Sequence, residues 1–441
     1  MSSGYIYVKK SSALQGEVRV SGAKNAALVI IASLLLTSGK SVLRNVPALS
    51  DVDQMIGILQ SLGVQVFFDK EKNILEVNTT TLQHNEIAQD CVKKFRASLL
   101  VLGPLLARFK KVSLAFPGGD EIGMRPIDYH LKNFKKMGAT VIEKDSCLHV
   151  AAQALQNQKI VLDYPSVGAT ENLLMALTLT PGRSYIINAA LEPEVLDLID
   201  VLKKMGAEIA VIAPATIQVD GVHKLYTVEH TIIPDRLEAG SLLIAGSVTK
   251  GDLHLIDAYV DHMDLFLMKL EEMGNQIIAS KDKKNIRIIG AKQPQAVSIK
   301  TAPYPGFATD LQPLMMVAQA VSVGSCDVIE TVFENRFLHV AELNKMGANI
   351  QASGHFAKVH GVKELFGAHA MATDIRAACA LGLAGLIAHG QTFIEGLHHW
   401  KRGYETLDEK LRNVGAHIEL RNDEMVPSNL GEVKKQTVLQ K

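Results

Sequence analysis

The feature that most constrains this chain is a short pattern that occurs six times along its 441 residues. Each copy is the end of an amphipathic helix, followed by a glycine and then by alternating apolar residues. Glycine is favoured after a helix because it adopts positive φ at little cost, and the alternation predicts a strand. Copies that lie 68 to 75 residues apart indicate repeated structural units. The six glycines are Gly63, Gly138, Gly206, Gly274, Gly347 and Gly415.

A second and more apolar helix is predicted upstream of each glycine. Helices that are apolar on most faces belong inside a domain, with sheets packed around them. One unit is therefore strand, buried helix, strand, amphipathic helix, glycine turn and strand, which makes the fold class α/β. The predicted buried helices span residues 25–37, 96–107, 170–179, 236–247, 310–323 and 374–388.

The six units are predicted to form two domains of three units each. The first domain spans residues 22–230, and the second combines residues 1–21 with residues 231–425. Residues 1–21 are assigned to the second domain because their strand has no partner of its own in the first unit. The chain therefore crosses between the domains twice. Residues 426–441 are polar enough to form a tail outside the packed structure.

Charge and cysteine content exclude several classes of protein. The 46 basic and 46 acidic side chains balance, so no overall field attracts nucleic acid or an anionic membrane. The N-terminus has no signal-peptide pattern, and the longest apolar run, residues 26–36, is shorter than the roughly 20 residues that span a bilayer. The four cysteines show no Cys-x-x-Cys spacing, which excludes the usual zinc and redox motifs and fits a reducing cytoplasm. We therefore expect a soluble cytoplasmic protein without metal, cofactor, nucleic-acid partner or membrane partner.

Charged side chains occupy matching places in different units, many of them at the starts of the buried helices. Equivalent ends of repeated helices should face the same way, so their unpaired N–H groups and dipoles would together attract an anion. Arginine can grip phosphate and carboxylate groups with two hydrogen bonds. The substrate should therefore carry several negative charges. The basic residues at matching places are Lys24, Arg96, Arg125, Arg336, Arg376 and Arg402.

Structural explanations compete with a functional one at several charged positions. The segments that begin at Thr309 and Asp235 both match a capping box, which stabilises a helix without any catalysis. An isolated arginine such as Arg96 is usually solvated or salt-bridged. Asp120 follows a Pro-Gly-Gly segment, where an aspartate is usually a turn former. The sequence contains no P-loop and no dinucleotide-binding glycine motif.

Eight segments, in order between about Gly16 and His417, resemble the UDP-N-acetylglucosamine 1-carboxyvinyltransferases. This family consists of enolpyruvyl transferases that commit UDP-N-acetylglucosamine to peptidoglycan precursors. The segments are SGAKNA at 21–26, FRAS at 95–98, residues 117–130, SVGAT at 166–170, TD at 309–310, ETVFENRF at 330–337, DIRA at 374–377 and RGYE at 402–405.

The resemblance implies a fold and a reaction. The fold would be a two-domain inside-out α/β barrel, in agreement with the sixfold repeat. The reaction would transfer the enolpyruvyl group of phosphoenolpyruvate to the 3-hydroxyl of UDP-N-acetylglucosamine and release phosphate through a tetrahedral adduct. The partners would be these two small molecules, and a monomer is expected.

The resemblance also implies roles for individual residues. Lys24, Arg125 and Arg402 would hold phosphoenolpyruvate. Asp310 would take the proton from the sugar 3-hydroxyl, and Asp120 would protonate the enol carbon. Lys24, Asp120 and Asp310 are thus the expected catalytic residues. Substrate binding is expected at Lys24, Asn25, Arg96, Arg125, Pro126, Ile127, Asp128, Tyr129, Tyr164, Pro165, Ser166, Val167, Asp310, Val332, Arg336, Asp374, Arg376 and Arg402, with Arg336, Asp374 and Arg376 ordering the closed site.

The chain departs from the family pattern at three places. Asp120 stands where the family usually has a cysteine, which is the thiol that fosfomycin alkylates. Tyr164 and Pro165 stand where a basic residue is common, and Trp400 with Lys401 replaces the usual Ile-Asp. Because a carboxylate is a weaker nucleophile than a thiolate toward an epoxide, we expect an enzyme that is insensitive to fosfomycin.

Two alternative functions fit parts of the same sequence. The synthase of 5-enolpyruvylshikimate 3-phosphate would have the same fold, but the segment before Arg96 lacks the Asn-x-Gly-Thr run expected there. The second alternative is a repeat scaffold without catalysis, in which the charges serve only as caps and salt bridges.

Overall fold

The structure of the chain is a computed structural model that describes residues 4–84, 86–87, 96–116, 118, 122–123 and 127–422. Three of the predicted site residues, Asp120, Arg125 and Pro126, lie outside the described residues. The predicted tail 426–441 also lies outside them.

Two kinds of helix alternate along the described chain, as the repeat predicts. The odd-numbered helices from α1 to α11 are mostly buried and apolar, and the even-numbered helices from α2 to α10 are amphipathic. Short 3-10 segments extend or precede four of them, at Leu34–Leu36, Arg96–Val101, Val260–His262 and Thr309–Leu311. The helices are α1 Lys24–Ser33, α2 Ser50–Ser61, α3 Leu102–Phe109, α4 Asp128–Lys136, α5 Val167–Thr178, α6 Pro193–Lys204, α7 Arg236–Val248, α8 Asp264–Glu272, α9 Gln312–Ala320, α10 His339–Lys345, α11 Ile375–Gly385, α12 Leu397–Gly403 and α13 Leu407–Asn413.

The strands of the described chain are short. They are β1 Gly4–Lys9, β2 Gln15–Arg19, β3 Lys40–Arg44, β4 Gln65–Asp69, β5 Ile74–Asn78, β6 Lys111–Ala115, β7 Thr140–Lys144, β8 Cys147–Ala151, β9 Lys159–Val161, β10 Gly182–Ile187, β11 Glu208–Ile212, β12 Thr216–Gly221, β13 Glu229–Thr231, β14 Asp252–Ile256, β15 Gln276–Ala279, β16 Ile286–Ile289, β17 Ile299–Lys300, β18 Ser325–Ile329, β19 Asn349–Ser353, β20 Phe356–His360, β21 His369–Met371, β22 Gln391–Glu395 and β23 His417–Asn422.

These strands form six small sheets, one for each repeated unit. Five have four strands, in the orders β13-β3-β5-β4, β11-β12-β10-β9, β15-β16-β14-β2, β17-β18-β20-β19 and β21-β22-β1-β23. The sixth is β6-β8-β7, and Glu86 forms a parallel bridge to Ser113 at its β6 edge. Each four-stranded sheet has one parallel pair, such as β13 with β3 or β2 with β14.

The buried apolar residues divide into two main clusters. The first cluster is drawn from residues 23–232, and the second from residues 6–20 and 237–418. Strand β1 lies between β22 and β23, so the N-terminal residues pack with the end of the described chain. The two crossings between the clusters run side by side, because Gly22 forms an antiparallel bridge to Pro234. The domain limits themselves remain a prediction.

Helix boundaries differ from the sequence prediction at several places, and two of these lie at predicted site residues. Helix α5 begins at Val167, three residues before the predicted start, because Ser166 caps it. The segment that begins at Arg96 is a 3-10 turn before it becomes helix α3. Within the described residues, no helix combines the length and the apolar character that crossing a membrane requires.

Candidate active site

Asp310 lies in the 3-10 turn that precedes α9, and two arginines share its carboxylate. Arg336 Nη2 donates to Oδ1 at 2.8 Å, and Arg376 Nη2 donates to Oδ2 at 3.1 Å. Burial alone would raise the pKa of this carboxyl, but Arg376 and Arg336 hold the pKa well below its usual range. The charge of Lys24, at the start of α1, lowers the pKa of Asp310 further. Asp310 is therefore an ionised carboxylate in an excess of positive charge.

One of the two predicted capping boxes is wrong. Ala308 holds the N-cap position before the 3-10 turn without a side-chain bond, and the Thr309 hydroxyl donates to Glu330 Oε2 at 3.0 Å instead. Asp235 does cap α7, since its Oδ1 accepts from Glu238 N at 3.2 Å. The functional explanation therefore gains at Asp310, because its side chain serves no cap.

A second group of charges joins the two halves of the chain at Asp51. Its carboxylate accepts from Lys24 Nζ at 3.1 Å and from Arg402 Nε at 2.9 Å. Lys24 starts α1 of the first cluster, whereas Arg402 lies in α12 of the second. Burial would raise the pKa of Asp51, but these two cations outweigh burial and lower the pKa. Asp51 could not be chosen from the sequence, because an acidic residue in the first turn of a helix already has an ordinary explanation in the helix dipole.

Further hydrogen bonds also join the two halves of the chain. Glu405 Oε1 accepts from Ala48 N at 2.6 Å and from Asn73 Nδ2 at 2.7 Å. Ile122, in the loop that also carries the predicted Asp120, is 5% exposed, and its carbonyl oxygen accepts from Asn335 N at 3.0 Å. The described part of this loop therefore touches the segment that leads to Arg336.

Arg96 belongs to a neighbouring buried group around His130. Burial and the charge of Arg96 lower the pKa of His130 to about 3, so the imidazole is neutral at physiological pH. Asn172 Nδ2 lies 3.2 Å from His130 Nδ1, and Asn172 Oδ1 accepts from Gly103 N at 2.8 Å. Asn172 thus connects α5 with α3, and a Cβ on Gly103 would meet the Asn172 carbonyl oxygen at 2.2 Å. The close packing of these two helices fixes the start of α5 beside the Arg96 segment.

Two other predicted site residues are helix caps. The Ser166 hydroxyl oxygen accepts from Ala169 N at 3.4 Å, and Val167 is the first residue of α5. Asp374 caps α11, where its Oδ1 accepts from Arg376 N at 2.8 Å, so it helps to place the guanidinium that holds Asp310. The remaining predicted residues in the described chain are exposed or half-buried, namely Asn25, Ile127, Asp128, Tyr129, Tyr164, Pro165 and Val332.

Tyr164 lies close to carboxylates from both halves of the chain. Burial, followed by the charges of Glu192 and Glu330, raises the pKa of Tyr164 to about 12. Its phenol therefore stays protonated at neutral pH and can donate a hydrogen bond. A neutral donor stands here where a basic residue is common in the family.

Two guanidinium nitrogens of the arginines that hold Asp310 are buried donors. Arg336 Nε and Arg376 Nη1 are buried and have no hydrogen-bond partner within the described part of the chain. Buried unpaired donors are costly, so an anion that accepts from them would stabilise the site. The arrangement can therefore bind a substrate with several negative charges beside one ionised carboxylate.

One cluster of metal-ligating residue types exists elsewhere in the described chain. Asp197, Asp200 and His230 place their ligand atoms within 4.8 Å of one another. Lys204 Nζ, however, lies 2.7 Å from an oxygen of Asp200 and 3.0 Å from His230 Nδ1. An ammonium group thus already supplies the positive charge in this cluster.

Comparisons with known proteins agree with this geometry. The family described as EPSP synthase (3-phosphoshikimate 1-carboxyvinyltransferase) matches residues 8–427. UDP-N-acetylglucosamine 1-carboxyvinyltransferase 1 of Staphylococcus aureus (strain N315) is 47% identical over 420 residues, which is 95% of this chain and 99% of that protein. The enzyme of the same name from Caldanaerobacter subterraneus subsp. tengcongensis is 46% identical over 411 residues, which is 93% of this chain and 98% of that protein.

Solved structures show the same architecture. The enolpyruvyl transferase NikO from Streptomyces tendae has a TM-score of 0.88 at 25% identity, covering 97% of this chain and 100% of that chain. An EPSP synthase from Acinetobacter baumannii has a TM-score of 0.75 at 17% identity, covering 95% of this chain and 99% of that chain, and supports the fold alone. The predicted inside-out α/β fold is thereby confirmed. From the family match and the relatives together, the chain belongs to the UDP-N-acetylglucosamine 1-carboxyvinyltransferase family.

Proposed function

We propose that this protein transfers the enolpyruvyl group of phosphoenolpyruvate to the 3-hydroxyl of UDP-N-acetylglucosamine. The observation that carries the proposal is the ionised Asp310 carboxylate, held between two arginines and within reach of the charge of Lys24. We infer that the reaction commits the sugar nucleotide to peptidoglycan in the cytoplasm. We also infer that the protein acts as a monomer, without a cofactor, nucleic acid or membrane partner.

In this mechanism Lys24 and Arg402, with Arg125, hold phosphoenolpyruvate. Asp310 accepts the proton of the sugar 3-hydroxyl while that oxygen bonds to C2 of phosphoenolpyruvate, and Asp120 delivers a proton to C3. The tetrahedral adduct then loses a proton from the new methyl group, and its C2–O bond to phosphate breaks. The products are inorganic phosphate and the enolpyruvyl ether.

The ion pairs of Asp310 impose a condition on this mechanism. A carboxylate whose pKa is held very low is a weak base, and general bases work best when their pKa lies nearer the working pH. We infer that the negative groups of the substrates draw Arg336 and Arg376 partly away from Asp310. The proton affinity of the carboxylate then rises only once substrate is bound.

The site also needs both halves of the chain. Asp51 links Lys24 to Arg402, and Glu405 binds the backbone at Ala48. We infer that the two apolar clusters are the cores of two domains, residues 22–230 and residues 231–425 with 1–21, which close over the substrates.

Phosphate release from phosphoenolpyruvate tests the function. We expect release with UDP-N-acetylglucosamine and none with shikimate 3-phosphate. Asp310→Asn should lower kcat by about 10²–10⁴-fold, the usual contribution of a general base. Asp327→Asn is the control, because Asp327 is a half-buried carboxylate that pairs only with Lys358 among the ion pairs of the described chain. Release that depends on shikimate 3-phosphate, or an Asp310→Asn enzyme within about threefold of the wild type, contradicts the proposal.

A further inference from the structure

Glu330 is a buried carboxylate that the mechanism above does not use. It follows β18 directly, and only 1% of its surface is exposed. Burial of a charged group is costly unless hydrogen bonds compensate for the lost water. The partners that supply this compensation therefore indicate what the carboxylate does.

Four neutral donors surround the two oxygens of Glu330. Oε1 accepts from Thr301 Oγ1 at 2.9 Å, from Val332 N at 2.8 Å and from Phe333 N at 3.2 Å. Oε2 accepts from Thr309 Oγ1 at 3.0 Å. A glutamine could offer only one acceptor oxygen to this set, so the arrangement calls for a carboxylate.

The bond from Thr309 is not needed to form the local backbone. The 3-10 turn that contains Thr309 has its own backbone bond, from Leu311 N to Ala308 O at 3.0 Å. The side-chain bond instead joins this turn to a segment 21 residues further along the chain. Thr309 immediately precedes Asp310, so the bond anchors the residue next to the base of the proposed reaction.

The other carboxylate oxygen of Glu330 holds the backbone on which the sugar nucleotide is expected to bind. Val332 is a predicted contact of the UDP-sugar, and its N–H donates to Glu330 Oε1. One side chain therefore sets both the turn that carries Asp310 and the backbone that would receive the substrate. A general base must lie within roughly 2.6–3.2 Å of the group whose proton it takes.

We propose that Glu330 is a positioning residue that fixes Asp310 relative to the bound sugar hydroxyl and so controls turnover. This inference rests on the proposed function. A misplacement of about 1 Å in such a pair costs about 10²-fold in rate. Loss of the link should therefore lower kcat much more than it raises the KM for UDP-N-acetylglucosamine.

The test uses the hydroxyl of Thr309, because a change there leaves Glu330 itself in place. Thr309→Val removes the hydroxyl and should lower kcat by about 10- to 100-fold, with the KM for UDP-N-acetylglucosamine changed less than about threefold. Thr309→Ser keeps the hydroxyl and should restore kcat to within about threefold of the wild type. Thr331→Val is the matched control, because the Thr331 hydroxyl donates to the Thr301 carbonyl at 2.6 Å and not to Glu330.

A double-mutant cycle with Glu330→Gln then tests the link directly. The Thr309→Val change should add little to the loss of kcat in the Glu330→Gln enzyme, because both changes remove the same hydrogen bond between Thr309 and Glu330. If Glu330→Gln fails to fold, the Thr309 series decides alone. A Thr309→Val enzyme with unchanged kcat, or a Thr331→Val enzyme with an equal loss, overturns the inference. A wild-type enzyme that releases no phosphate in the same assay instead refutes the proposed function.

Discussion

Replacement of Asp51 by asparagine should destabilise the protein far more than an ordinary surface change. Asp51 is 3% exposed, and its two oxygens accept from Lys24 and from Arg402 at about 3 Å. Asparagine keeps the size of the side chain but removes its charge. The variant therefore removes the charge that joins Lys24 of one half to Arg402 of the other.

The size of the effect follows from this geometry. Removal of one partner from a buried ion pair costs about 3–5 kcal/mol, because the remaining charge is left uncompensated. The pair of Lys24 with Asp51 is of this buried kind, because their side chains are 8% and 4% exposed. With about 2–4 °C per kcal/mol for a domain of this size, the melting temperature should fall by about 6–20 °C.

Asp53→Asn is the matched control for this substitution. Asp53 also lies in the first turn of α2, but 48% of its side chain is exposed and it pairs with Lys70 at the surface. An exposed pair of this kind contributes about 0–1 kcal/mol. Thermal unfolding of the wild type and both variants, with and without inorganic phosphate, provides the comparison. Phosphate should narrow the gap between Asp51→Asn and the wild type, because an anion can replace the lost carboxylate.

The dependence on pH gives a second check of Asp51. Its pKa is lowered in the folded state, so its ion pairs contribute fully above the ordinary Asp value of about 3.9 and are lost as the pH falls through the folded-state pKa. The difference in unfolding free energy between the wild type and Asp51→Asn should therefore be constant above about pH 5. It should shrink in more acidic solution. A gap no larger than that of Asp53→Asn, or one that phosphate leaves unchanged, would refute the assigned role.

Three further predictions concern the loop, the two halves and the base. Fosfomycin should inactivate Asp120→Cys over time and leave the wild type active, because a carboxylate is a weaker nucleophile than a thiolate; a covalent adduct on the wild type by mass spectrometry would contradict this. Small-angle scattering should show compaction with saturating UDP-N-acetylglucosamine, since Lys24 and Arg402 must meet on one small substrate; an unchanged radius counts against closure. Arg376→Met should raise the pKa of Asp310, so that kcat falls at low pH where the carboxylate becomes protonated. Wild-type and variant pH–rate profiles of equal shape would contradict this.

The sequence predicted the architecture well because the architecture is periodic. A glycine after each amphipathic helix and an apolar helix before it are local features, and six copies reinforce one another. The boundaries were less predictable where tertiary contacts decide them. The segment at Arg96 adopts a 3-10 turn, and α5 gains residues because Ser166 caps it.

The site was predictable where charge occurs at equivalent places, and not where it depends on a distant partner. Asp310, Arg336 and Arg376 were chosen from the sequence, and the structure brings them together. Asp51 and Glu330 were missed because each has a sufficient local explanation, in the helix dipole for one and in the turn after a strand for the other. Their importance comes from bonds to residues that are remote in sequence, which no local pattern encodes.

The charges of the site link anion binding to the approach of the two halves. Asp51 joins Lys24 of one half to Arg402 of the other, while Asp310 holds two guanidinium groups of the second half. We infer that an anion bound between Lys24 and Arg402 adds attraction across the two halves. A ligand that bears negative charge at both ends, as phosphoenolpyruvate does, should therefore stabilise the proposed closed arrangement more than the open one. A neutral analogue of the same shape lacks this effect, and so should neither close the halves nor raise the melting temperature as far as phosphoenolpyruvate does.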